Sequence, residues 1–127
     1  MIDLHNHILP GVDDGAHSLE ESCAMARQLV AAGVTTVCAT PHAIDWSSLA
    51  GTGDVQRRVR ELQTELDRQE IRLRVLPGCE ARITPTVVND VESGAFPTLN
   101  GTRYLLLELP YDSLPPGYDR LLFELLA

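Results

Sequence analysis

The sequence predicts an α/β protein of about four parallel strands alternating with helices, folded as one domain over residues 1–127. Three observations carry this. Short β-branched or apolar runs at residues 2–4, 34–40, 71–76 and 103–109 each end in a polar or turn-forming stretch. Helical periodicity fills the intervals between them. The polar residues that need explaining, His5, His7, His42, Glu80 and Glu108, fall at the carboxyl ends of those runs. In a β/α barrel that end of every strand opens onto one shared face, where active sites are built.

The opening stretch, MIDLHNHILPGVDDG, is an extended run that breaks at Pro10 and Gly11 into a turn carrying Asp13, Asp14 and Gly15. Side chains alternate along a strand, so His5 and His7 share a face about 7 Å apart along the chain and can grip one metal ion. Ser18 with Glu21 forms a capping box. Behind it Leu19, Cys23, Ala26, Leu29 and Val30 recur at helical spacing up to Gly33. Residues 34–40, VTTVCAT, have the β-branched density of a buried strand that runs into Pro41 and His42.

Residues 43–53 are irregular, carry the sole tryptophan, Trp46, and read either as a lid or binding loop beside the site or as a plain connector. Val55, Val59, Leu62 and Leu66 mark a second amphipathic helix over residues 54–70. Residues 71–76 form a third strand, followed by Pro77, Gly78, Cys79 and Glu80. Thr84 as N-cap and Pro85 in the first turn start a short third helix that Gly94 ends. After a turn at Asn100 and Gly101, residues 103–109 form a fourth buried strand, and residues 118–127 a final apolar helix.

Composition removes several function classes. A formal charge of -8 argues against nucleic acid as the main partner. The chain contains no lysine, which excludes a lysine Schiff base or a phosphate loop with its lysine. No apolar stretch reaches the roughly 20 residues of a membrane span, and the start lacks the regions of a signal peptide, so the expected location is cytoplasmic. Cys23, Cys38 and Cys79 have no Cys-x-x-Cys spacing and read as buried free thiols. Cys79 also lacks the Cys-x5-Arg loop of a cysteine phosphatase.

Glu108 is an acid in an otherwise apolar run, and burying it unpaired costs several kcal/mol, so it needs a cation or hydrogen bonds. With His5, His7, His42 and Glu80 it makes a set of imidazole and carboxylate donors suited to manganese, iron or zinc. Of the turn acids, Asp14 is the first choice to join them and Asp13 the reserve. Asp3 reads as an acceptor that orients an imidazole. Arg82 either meets an anionic substrate or lies on the surface. His17, beside a helix cap, reads as solvent-facing.

The Asp3-Leu4-His5-Asn6-His7 motif, the Val12-Asp13-Asp14-Gly15 turn, Thr40-Pro41-His42, Gly78-Cys79-Glu80 and the stretch from Pro97 to Glu108 resemble the polymerase and histidinol phosphatase (PHP) superfamily. Within it the chain is most similar to the metal-dependent bacterial protein tyrosine phosphatases of capsule and exopolysaccharide synthesis. The resemblance implies a partial β/α barrel of the PHP type, the amino-terminal half of a distorted seven-stranded barrel with up to three divalent ions, manganese before iron or zinc. It implies that His5 and His7 hold one ion, Glu80 bridges it to a second that Glu108 helps hold, and Asp14 with His42 holds a third. The implied substrate is phosphotyrosine on a tyrosine kinase controlling polysaccharide polymerisation, attacked by a metal-activated hydroxide.

The family's second half, which supplies another histidine, a phosphate-gripping arginine and a closing Asp-x-His pair, has no counterpart here: every histidine lies at or before position 42. The expectation is therefore a fragment, or a chain whose copies cover each other's open half barrel as a homo-oligomer. Two alternatives stand beside the tyrosine phosphatase: a small-molecule phosphoesterase of the histidinol-phosphatase type, and a non-catalytic metal-holding remnant that docks a partner.

Overall fold

The computed structural model describes residues 1–43, 52–110, 112–114 and 116–126. Trp46 and most of the expected lid lie outside the described residues. The elements run β1 (Ile2–Asn6), α1 (Leu19–Ala31), β2 (Thr36–Ala39), α2 (Thr52–Arg68), β3 (Arg74–Pro77), β4 (Glu80–Arg82), α3 (Val87–Glu92), a 3-10 turn (Leu99–Gly101), β5 (Leu106–Glu108) and α4 (Tyr118–Leu126).

All strand pairs are parallel, β1 with β2, β2 with β3, and β4 with β5. The third expected strand is thus two short ones, and Glu80 opens the second instead of trailing the first. The two are nonetheless one line of chain. Thr36 lies opposite Arg74 and Ala39 opposite Pro77, and the same offset places His42 opposite Glu80 in an isolated parallel bridge. Glu80 N–H donates to Pro41 O at 3.0 Å and Ala43 N–H to Glu80 O at 2.9 Å. The interruption falls at Gly78 and Cys79, where a Cβ on Gly78 would stand 2.9 Å from a Leu99 methyl.

Three other boundaries move for local reasons. Residues 71–73 are not strand, because Glu70 takes a left-handed φ of 57° and Ile71 N–H still bonds back to Leu66 O. The third helix starts after Thr86, not Thr84: Ile83 N–H is held by Glu108 O, and Val87 N–H first closes a turn onto Thr84 O. The last strand is confined to Leu106–Glu108 because Leu99 N–H bonds Tyr104 O across the turn at Asn100. It is half-buried, being an edge. The amino-terminal helix matches expectation: Ser18 Oγ accepts the Glu21 N–H, and the Glu21 carboxylate accepts the His17 N–H at 2.7 Å.

One face of the sheet is the core. Val37 and Ala39 of β2 and Val75 of β3 pack with Val55, Val59, Leu62 and Leu66 of α2 and Cys23 and Ala26 of α1. The opposite face bears Ile2, Leu4, Thr36, Cys38, Leu76 and Leu106, which line an open apolar groove of about 590 Å³. Ile2 and Leu4 are more than half exposed there.

Between Asp3 and Asn6 the register of β1 slips by one residue: Asp3 lies opposite Val37, but Asn6 lies opposite Ala39. Leu4 and His5 together face the single residue Cys38, which is a β-bulge. The bulge reverses the side-chain alternation, so that Leu4 and His5 both turn toward the groove side and His7 follows. Without it, regular alternation would send the two histidines into the helix layer.

Candidate metal centre

Four strands deliver side chains to one rim. Along the line of β3 and β4, Leu76 lines the groove, and Glu80 and Arg82 follow on the same face by alternation. Glu108 shares that face across the β4–β5 pair. The apolar groove is the floor and the polar residues are its carboxyl-terminal border.

Glu80 sits at the centre. Its Oε2 is 3.1 Å from His5 Nε2, 3.3 Å from His7 Nε2 and 3.2 Å from His42 Nδ1. His5 Nε2 and His7 Nε2 are 3.2 Å apart. His42 Nδ1 lies 3.7 Å from Glu108 Oε2, and its Nε2 lies 3.4 Å from Asp14 Oδ1. Three groups have donor atoms converging closely enough for one ion: His5, His7 and Glu80; His7, Asp14 and His42; and His42, Glu80 and Glu108. Atoms sharing one ion at bonds of about 2.0–2.2 Å stand roughly 2.8–3.6 Å apart at tetrahedral or octahedral angles, the spacing of the three Glu80 contacts.

Two of the donor atoms also lack other employment. His42 Nδ1 and Glu108 Oε2 are buried without a hydrogen-bond partner. Two such atoms facing each other is a costly arrangement that a cation between them relieves. The residues fit a divalent ion by number, chemistry and spacing.

The second turn acid has a different place from the first. Asp14 is mostly exposed and reaches the His42 ring, whereas Asp13 is buried and binds His7 Nδ1 at 2.8 Å. It is the carboxylate that orients an imidazole, the part the sequence assigned to Asp3. Asp3 does something else: its Oδ1 accepts the His5 backbone N–H at 3.2 Å and its Oδ2 the Asn6 side-chain amide at 3.0 Å, holding the bulge. An Asp accepting the N–H two residues on is an Asx motif, the signal in the sequence that could have revealed it.

The electrostatics follow these contacts. The hydrogen bond to Asp13 raises the His7 pKa against burial, with further help from the charges of Glu80 and Asp14. Burial pushes Asp13 up, but the His7 hydrogen bond and the N–H groups of Gly15 and His42 outweigh it, leaving Asp13 lowered. Arg82 forms no ion pair among the described residues and is half-buried, and His17 is exposed as expected. Cys23, Cys38 and Cys79 are buried free thiols.

Residues 1–114 match the family described as "Capsular polysaccharide synthesis, CpsB/CapC". The chain belongs to the CpsB/CapC family. It is 38% identical over 125 residues to the tyrosine-protein phosphatase YwqE of Bacillus subtilis, covering 98% of this chain and 49% of that protein. It is 34% identical over 111 residues to the tyrosine-protein phosphatase CpsB of Streptococcus pneumoniae, covering 85% and 44%. Among solved structures it superposes with a TM-score of 0.94 at 38% identity on a chain from the crystal structures of YwqE from B. subtilis and CpsB from S. pneumoniae, reported as unique metal-dependent tyrosine phosphatases. That match covers 99% of this chain and 51% of the other. The chain therefore spans about half the length of the curated CpsB/CapC relatives it matches. No helix among its described residues is long and apolar enough to cross a membrane.

Proposed function

We propose that this chain carries the metal-binding face of a metal-dependent protein tyrosine phosphatase of capsule or exopolysaccharide synthesis, acting on phosphotyrosine of a regulatory tyrosine kinase. The observation that carries the reading is Glu80 standing within 3.3 Å of donor nitrogens from three histidines at the ends of two other strands. In this reading His5, His7 and Glu80 would hold one ion, Glu80 and Glu108 would help hold a second, and Asp14 with His42 a third. Manganese is the first candidate, with iron and zinc behind it. A divalent ion bound there supplies Lewis-acid chemistry, acidifying water and neutralising phosphate oxygens.

The chain's own residues divide the remaining work. Arg82, paired with Glu108 across β4 and β5 and on the same face as Glu80, is the cation this reading assigns to an anionic phosphate. Cys79 is no nucleophile: burial, with the charge of Glu80 beside it, pushes its thiol up to about 12.

The test is hydrolysis of a phosphotyrosine peptide by the purified chain with and without Mn(II), beside a small phosphate ester such as histidinol phosphate. Preference for the peptide supports the reading, preference for the small ester replaces it, and no turnover with metal bound leaves a metal-holding module.

The open groove favours association of two copies. A two-fold axis along the barrel keeps all strands parallel and sets the β5 edge of one copy beside the β1 edge of the other. Measuring the mass in solution tests it.

A further inference from the structure

One buried carboxylate ties three separate pieces of the centre together. Asp13 Oδ2 accepts from His7 Nδ1 at 2.8 Å, beyond the end of β1, and from the His42 backbone N–H at 3.1 Å, beyond the end of β2. Its Oδ1 accepts the Gly15 N–H at 3.0 Å within its own turn. The turn is pressed against the same histidine, since Ala16 N–H donates to His7 O at 3.1 Å. A Cβ on Gly15 would lie 2.4 Å from the His7 Cβ.

We propose that Asp13 is a positioning residue, resting on the metal-centre reading above: it fixes the His7 tautomer and locks the ligand-bearing ends of β1 and β2 in one frame. An ionised carboxylate only accepts, so it holds the His7 proton on Nδ1. The bare Nε2 then faces His5 Nε2 and Glu80 Oε2, where the first donor group converges. Because the same oxygen holds the His42 N–H, that group and the one containing His42 cannot shift independently. Partners of this kind behind a metal-bound imidazole affect affinity about 10–100-fold.

Asp13→Asn is nearly isosteric but removes the charge and puts an N–H2 at one of the two oxygen positions, where it meets either His7 Nδ1 and the His42 N–H or the Gly15 N–H, so every orientation breaks at least one of the three bonds. The experiment pairs calorimetric titration of Zn(II) into wild type and Asp13→Asn with long-range 15N–1H spectra of both metal-free proteins. The expected result is about 10–100-fold weaker Zn(II) binding in the variant, and a His7 proton that sits on Nδ1 in wild type and is no longer confined there in the variant. Equal affinities, or a wild-type His7 protonated on Nε2, would overturn the proposal. The wild-type spectrum decides even if the variant misfolds. Wild type that binds no Zn(II) or Mn(II) sinks the metal-centre reading, while the tautomer result still decides what Asp13 does.

Discussion

Glu80 Oε2 lies 3.1 Å from Nε2 of His5, a residue 75 positions earlier in the chain. The contact spans the sheet from β4 to β1, across the extension of β2 that carries His42. Glu80→Gln keeps the shape and removes the charge shared by the donor groups. Bound divalent metal, counted by elemental analysis after dialysis, is expected to fall, with affinity at least about tenfold weaker. Mn(II) is expected to raise the melting temperature of wild type and to leave that of the variant nearly unchanged. Unchanged stoichiometry would remove Glu80 from the centre.

Gly15 is required by contact. A side chain there would stand 2.1 Å from the His7 carbonyl oxygen, which is backbone and cannot step aside. Gly15→Ala is expected to destabilise the metal-free chain by about 2–4 kcal/mol in urea unfolding, in the class of overpacked and strained sites. A loss under about 0.5 kcal/mol would show that the turn is not seated on His7.

The thiols make a separate prediction. All three are buried, and burial raises each pKa, that of Cys79 most. Iodoacetamide at neutral pH should label none of them in the folded chain and all three once urea unfolds it. Rapid labelling of Cys79 under native conditions would contradict its packing beneath Pro97.

The His7–Asp13 pair sets a pH dependence with a definite sign. His7 is raised, so its contribution is complete below its unfolded value of about 6.5 and is lost as pH rises through the folded pKa. Asp13 is lowered, so its contribution is present above its unfolded value and is lost as pH falls through the folded pKa. The pair thus stabilises the metal-free chain most in the mildly acidic window between them. Metal competes with the proton for His7 Nε2 and should bind more tightly as pH climbs out of that window. Urea unfolding from pH 4 to 9, with chelator and with Mn(II), measures both. The contribution is read as wild type minus Asp13→Asn; a chelated difference that is largest above pH 8 would reverse the assignment.

Much of the architecture was legible because it rests on spacing. The Ser18 cap, the α2 stripe from Val55 to Leu66 and the convergence of His5, His7, His42, Glu80 and Glu108 all follow from periodicity and strand ends. What escaped depends on pairing between distant strands. The bulge sets Asp3 and Asn6 both opposite core-facing residues of β2, Val37 and Ala39, a pairing that the local sequence of β1 does not reveal. The third strand is split at Gly78, where Leu99, 21 positions away, leaves no room for a Cβ, a contact that local sequence does not reveal. Asp13 and Asp14 are adjacent acids in one turn, and only the fold says which is buried against His7 and which reaches toward His42.

The slipped register of β1 means that this strand is one amino acid longer than its partner needs. In genetic terms, losing the codon for Leu4 would let Asp3, His5, Asn6 and His7 run in plain alternation, with both imidazoles still turned to the groove. Disturbing Asp3 in the full-length strand instead frees the surplus residue to slide back, carrying both imidazoles to the wrong side. At this one place a deletion is expected to be the milder lesion and a point substitution the harsher one.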